Sequence, residues 1–202
     1  MGRLTRVYLT VLGVFLFAGS VYAADLSAGT YYTKVNIWYE DPLKIPSTNY
    51  HRGAVIPFGS KVKIISKVKE KIQFTVDDEP GVTFTLVNVR KHSLVDGAEL
   101  FKEYFAQDDP KLTKEFNNFN GKERRNIEKG TLEEGMSREA AIAAYGYPPK
   151  HKTPTLKSSL WTYWDARSIR RLVTFKNDRI DKIEEFNEFE EGSGPRWYHY
   201  VP

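Results

Sequence analysis

Between Ala28 and Lys91 hydrophobic and polar positions alternate. Val62-Lys63-Ile64-Ile65 and Ile72-Gln73-Phe74-Thr75-Val76 place apolar side chains at every second residue, and Val82-Thr83-Phe84-Thr85-Leu86-Val87 repeats the pattern. Successive side chains of a strand point to opposite faces, so this period predicts half-buried strands. Tyr31 to Tyr39 is rich in the aromatic and β-branched types that favour the same state. Pro57-Phe58-Gly59-Ser60 and Asp77-Asp78-Glu79-Pro80-Gly81 break the runs and predict turns.

From Asp96 the period lengthens. Leu100, Phe101, Tyr104 and Phe105 recur at helical spacing, which predicts an amphipathic helix over Gly97 to Gln107, stopped by Asp108-Asp109-Pro110. The charged stretch from Lys111 to Lys129 reads as part helix and part linker. A second clear helix starts at Ser137, whose hydroxyl can cap free backbone N–H groups, with Glu139 at the positive end. Its alanine-rich interior favours helix, Gly146 closes it in a left-handed conformation, and Tyr147-Pro148-Pro149 prevents continuation. Leu160-Trp161-Thr162-Tyr163-Trp164 predicts an aromatic strand. Leu172 to Phe175 and Ile180 to Ile183 predict a hairpin about Lys176-Asn177-Asp178-Arg179.

These elements define an α+β chain. Residues 28–95 predict a small β-barrel of SH3-like form, 96–125 a helical connector and 126–187 an α+β layer. Residues 188–202 form an acidic, then aromatic tail that no pattern assigns.

Arg3 and Arg6, the apolar run Val7 to Ala18 and the small residues before Val21-Tyr22-Ala23 make up the three parts of a secretory leader over residues 1–23. Cleavage is expected after Ala23, with retention as an anchor the alternative. Phe17-Ala18-Gly19-Ser20 resembles a lipoprotein cleavage site, yet Ser20 stands where lipidation needs a thiol. The chain has 0 Cys, which excludes disulfides, thiolate metal sites and cysteine nucleophiles. A periplasmic, non-lipidated protein of about 179 residues follows, with no later stretch apolar enough to cross a bilayer. The leader takes two of the 30 basic residues, leaving 28 against 26 acidic ones, and so near-neutral a chain is not built for nucleic acid.

No catalytic constellation stands out. His51, His92, His151 and His199 form no compact ligand spacing, so no metal site or other cofactor is expected. There is no G-x-S-x-G and no glycine-rich phosphate loop, and Ser60 and Ser137 read as turn and cap residues. Asp77-Asp78 and Glu184-Glu185 read as solvated acids, and Arg124-Arg125 and Arg170-Arg171 as solvated bases. The chain is expected to be no enzyme.

Aromatic surface is the more pointed signal. Alternation puts Trp161 and Tyr163 on one strand face and Trp164 on the other, so one face is core beneath the Ser137 helix. The second must meet another domain, a partner or a ligand. In the β-module, Asn49 to Gly53 reads either as an exposed loop entering a strand or as a recognition loop whose Tyr50 and Arg52 contact a partner, with Trp38 and Tyr39 lining the same groove, as suits an extended ligand such as a peptide or a peptidoglycan stem. Trp38, Tyr50, Arg52, Trp161, Tyr163 and Trp164 are the candidate partner-binding residues, because large apolar rings with polar tips dominate binding hot spots.

The C-terminal third resembles the SmpA/OmlA (BamE) family of outer-membrane assembly proteins. The resemblance rests on Gly130, Gly135-Met136-Ser137, Ile142, Tyr145-Gly146-Tyr147-Pro148, Trp161-Thr162-Tyr163, Val173-Thr174-Phe175 and Asn177-Asp178-Arg179-Ile180. It implies two helices against a three-stranded antiparallel sheet and a scaffolding role toward protein and lipid, without chemistry. The N-terminal half more weakly resembles a bacterial SH3-type domain. Together these imply an exported binding or scaffolding protein of the cell envelope, acting in outer-membrane assembly or maintenance. The alternative is a cell-wall binding protein acting through the SH3-like module.

Overall fold

A computed structural model describes residues 29–187. The expected leader and tail, and His199 within the tail, lie outside the described residues. In chain order the elements are β1 (Gly29–Thr33), β2 (Ile37–Tyr39), β3 (Ile45–Pro46), β4 (Ala54–Ile56), β5 (Lys61–Val68), β6 (Lys71–Val76) and β7 (Phe84–Val87). Helices α1 (Arg90–Ser93) and α2 (Gly97–Tyr104) lead into β8 (Phe105–Ala106). A 3-10 turn (Pro110–Leu112) precedes α3 (Lys114–Asn118), α4 (Gly121–Lys129) and α5 (Arg138–Tyr145). The chain closes with β9 (Leu160–Trp164), β10 (Ile169–Lys176) and β11 (Arg179–Asn187).

The fold is mixed α+β. The first sheet is a curled half-barrel of six strands in the order β3-β7-β6-β5-β1-β8. Its alternation follows the sequence: Val62, Ile64, Ile72, Phe74 and Val76 are buried, while Lys61, Lys63 and Lys71 are exposed. Side chains of α2 fill the concave side. Leu100, Phe101 and Tyr104 join the same core as Phe74, Phe84 and Leu86, and each fully buried apolar side chain contributes about 1.5–3 kcal/mol. The sixth strand, β8, comes from the segment read as a connector, and it pairs antiparallel with β1. Helix α2 thus ends at Tyr104, because Phe105 turns extended to take up that pairing.

The second layer is a three-stranded antiparallel sheet, order β11-β10-β9, under α4 and α5. Its hairpin turns through Asn177 and Asp178, both at positive φ, the geometry that matches strand twist in a two-residue turn. Ser137 caps α5 by accepting from the Ala140 N–H at 3.3 Å. Gly146 takes φ +85°, as expected, but its ψ of −180° leads into extended chain rather than a left-handed helical residue. Helix α4 has a reciprocal cap that the charged sequence around it concealed. The Asn120 side chain accepts from the Lys122 and Glu123 N–H groups, and Glu123 accepts back from the Asn120 N–H.

Two buried asparagines stitch the layers. Asn36 donates through Nδ2 to the carbonyls of Ile127 and Ala144, at 2.7 and 2.9 Å, and accepts from the Phe58 N–H at 2.6 Å. Asn49, at φ +49°, donates to the carbonyls of Asn36 and Tyr145. Phe58, from the β-rich half, consequently sits in the C-terminal core. No helix among the described residues is long and apolar enough to cross a membrane.

Candidate functional site

The six residues singled out by sequence are divided by the fold. Trp161 and Tyr163 are buried, at 0% and 1% exposure, and present no surface to a partner. The reason is the small-residue face of α5: Ala140, Ala141 and Ala144 let the helix approach β9 closely, so both rings fill the space beneath it. Tyr163 donates its hydroxyl to the Gly146 carbonyl at 3.0 Å. Above Trp161 lies the Arg138 guanidinium, 5.4 Å from the ring centroid.

Trp164, on the opposite face of β9, is half-buried against the chain's own loop. His151 stacks on it with centroids 5.0 Å apart, and Arg170 lies 5.7 Å from the ring. Thr153 of the same loop accepts from the Thr162 N–H. Much of what covers the second face is therefore internal.

Trp38, Tyr39, Tyr50 and Arg52 do come together. They line a groove of about 190 Å³ with Glu40, Asp41, Lys44 and Pro46. Trp38 is half-buried, meeting His51 edge-on at 5.9 Å. Arg52 is exposed and reaches Glu40 at 3.6 Å, a surface pair that contributes at most about 1 kcal/mol.

What fixes this loop is His51. Its ring stacks on Tyr145, its Nε2 lies 2.8 Å from the Tyr145 carbonyl, and its Nδ1 lies 3.4 Å from Asp165. Asp165 also accepts from Tyr145 Oη at 2.6 Å and from Arg171 Nε at 2.8 Å. Burial alone would raise the Asp165 carboxyl. Hydrogen bonds from His51, Arg171 and Tyr145 outweigh it and hold the group at about 2. Burial, reinforced by Asp165, pushes the Tyr145 phenol up. A carboxylate so fully engaged is a structural clamp.

Another concavity involves none of the six. A cleft of about 620 Å³ opens between the layers, lined by Phe58, Phe116, Phe119, Ile142, Ala143 and Tyr147 among apolar side chains. Phe58 and Phe116 stack at 5.6 Å, and Phe119 meets Phe116 edge-on at 6.0 Å. Asp108, Glu115 and Glu139 line it with Lys34, and the Arg124 guanidinium lies 5.5 Å from the Phe116 ring centroid. Lys34 Nζ is turned to the Lys102 carbonyl at 2.8 Å, and burial lowers its pKa. The cleft shares Gln107, Asp108 and Thr113 with a shallower hollow of about 530 Å³ bearing Tyr32, Asp109 and Leu112. Leu112 is 80% exposed. The sequence feature that marks it is Phe116-Asn117-Asn118-Phe119, two rings three residues apart in a segment whose charge reads only as part helix and part linker. Its partners Phe58 and Ile142 are too distant in sequence for any local pattern to connect them.

A third pocket, of about 400 Å³, is lined by Thr48, Tyr50, Lys91, His92, His151, Trp164 and Arg167. No family model matches this chain, and neither does any curated protein or solved structure.

Proposed function

We propose that this is an exported, non-catalytic binding and scaffolding protein of the bacterial cell envelope, and that it holds an extended segment of a partner protein in the Phe116 cleft. The observation that carries the reading is the preformed apolar floor shared by Phe58, Phe116, Phe119 and Ile142. Ligand sites have this volume and this mostly apolar lining with a few polar groups. Continuity with the Leu112 hollow suits a segment longer than one side chain. Asp108, Asp109, Glu115 and Glu139 outnumber Lys34 and Arg124, both of which are engaged by backbone carbonyls, and favour a segment that carries basic residues between its apolar ones. The leader-like N-terminus and the SmpA/OmlA resemblance of residues 126–187 support placement in the envelope, with the half-barrel as an SH3-like module beside it.

Selection of a displayed random-peptide library on the purified chain tests this. The expected consensus pairs two apolar anchors with Lys or Arg, and its binding is lost in Ile142→Glu, whose far-ultraviolet circular dichroism is unchanged. An acidic consensus, no consensus, or selected peptides that bind Ile142→Glu equally well overturns it.

A second reading, binding of a cell-wall stem peptide, rests on the groove that brings Trp38, Tyr50 and Arg52 together. It requires sedimentation with purified sacculi that Tyr50→Ala abolishes and Ile142→Glu does not.

A further inference from the structure

The third pocket differs from the cleft in kind. Every charged or titratable group among its lining side chains, apart from the Tyr50 phenol, is a lysine, an arginine or a histidine, and no carboxylate lines it. Lys91 and Arg167 are exposed and make no ion pair with a described residue. Two polar atoms of the lining residues lie closed off from solvent and lack partners among the described residues: Thr48 Oγ1, on a residue 6% exposed, and His92 Nδ1.

The histidines are arranged to donate. Their rings lie 4.5 Å apart. His151 Nδ1 is 3.2 Å from the His92 carbonyl, which can only accept, so Nδ1 carries the proton and Nε2 is the nitrogen that gains one on ionisation. His92 is packed near Lys91 of its own helix and His151 of the facing loop. His151 has His92, Lys152 and, from β10, Arg170 around it. Burial first, and Lys91 second, lower His92. Burial first lowers His151, and the charges of His92, Lys152 and Arg170 add to it, against the hydrogen bond to His92 that raises it. All the charges around the pair are positive, so an anion placed among them would relieve repulsion and favour both imidazolium forms.

We propose that the pocket formed by Thr48, Lys91, His92, His151 and Arg167 is a binding site for a phosphoryl group carried on a sugar-sized body. Four potential cations exceed what one carboxylate can engage. A phosphomonoester brings a charge of about −1.5 to −2 and three strong acceptor oxygens. Arg167 and Lys91 supply the permanent charge, and the histidines charge that grows as pH falls. The pocket's 400 Å³ leaves room beyond the phosphate for a ring against Tyr50 and Trp164. This site is separate from the Phe116 cleft, and either can fail alone.

The test is titration of the full chain with inorganic phosphate, glucose 6-phosphate and glucose, followed by amide chemical shifts at pH 6 and pH 8. Phosphatidylglycerol vesicles form a parallel sedimentation arm. Glucose 6-phosphate is expected to bind more tightly than phosphate, glucose not at all, and binding to strengthen at least threefold at pH 6. Lys91→Gln and Arg167→Gln, both at exposed positions, are each expected to weaken binding about tenfold, with Lys176→Gln, exposed at the far end of β10, as the neutral control. Vesicle binding that needs Lys91 and Arg167, without binding of the soluble sugar phosphate, upholds the phosphoryl site with lipid as its source. Absence of binding in every arm overturns the proposal, as does binding that the Lys91→Gln/Arg167→Gln double variant retains.

Discussion

The His51 ring lies flat on Tyr145, with centroids 3.3 Å apart and planes 11° from parallel. One residue comes from the loop between β3 and β4, the other from the last turn of α5, so the contact ties the Tyr50 loop to the C-terminal layer. His51→Ala removes the stack, the contact with the Tyr145 carbonyl and the 3.4 Å approach to Asp165. A loss of about 2–3 kcal/mol is expected, read as a lowered urea midpoint with unchanged slope.

The same clamp sets an acid sensitivity. Asp165 is held at about 2, below its ordinary 3.8, so its ionised form stabilises the fold. That contribution is complete above pH 4 and is lost as pH falls through 2. It amounts to about 2 kcal/mol. Stability curves of the native chain and Asp165→Asn, followed by urea unfolding from pH 6 to pH 2, are expected to converge toward the acid end.

Asn36 carries the join between the layers. Asn36→Leu leaves the Ile127 and Ala144 carbonyls and the Phe58 N–H buried without their partner. Each such loss costs about 1–3 kcal/mol. Destabilisation of at least 3 kcal/mol is expected by urea unfolding, together with faster hydrogen exchange of the Phe58 amide.

Gly130 ends α4 at φ +65°, and a Cβ there would stand 2.7 Å from the Trp38 ring. The left-handed backbone alone costs an L side chain about 1–2 kcal/mol. Gly130→Ala is therefore expected to lower stability by 2 kcal/mol or more (roughly, since the ring can yield), with a shift in Trp38 fluorescence. Trp38 reads accordingly as partly structural: its ring packs on a helix end.

Local chemistry was legible wherever one element decides it. Strand alternation at Val62-Lys63-Ile64, the Ser137 cap and the Asn177-Asp178 turn all stand as read, because each depends on residues within a few positions. Strand β8 and the reach of Asn36 were not legible. Phe105 sits in a helical pattern and turns extended only because β1 offers a free edge. Alternation correctly split Trp161 and Tyr163 from Trp164, yet it could not reveal that His151 would cover the second face. The cleft was the least visible, since Phe58, Phe116 and Ile142 converge from three separate segments.

That convergence has a consequence for when the chain can act. A surface whose floor is Phe58 and Ile142 and whose wall is Phe116 does not exist on any fragment that stops short of α5. A chain still folding would have nothing to grip with until α5 had docked. Recognition would then report, to any partner, that segments from both halves of the chain had come together.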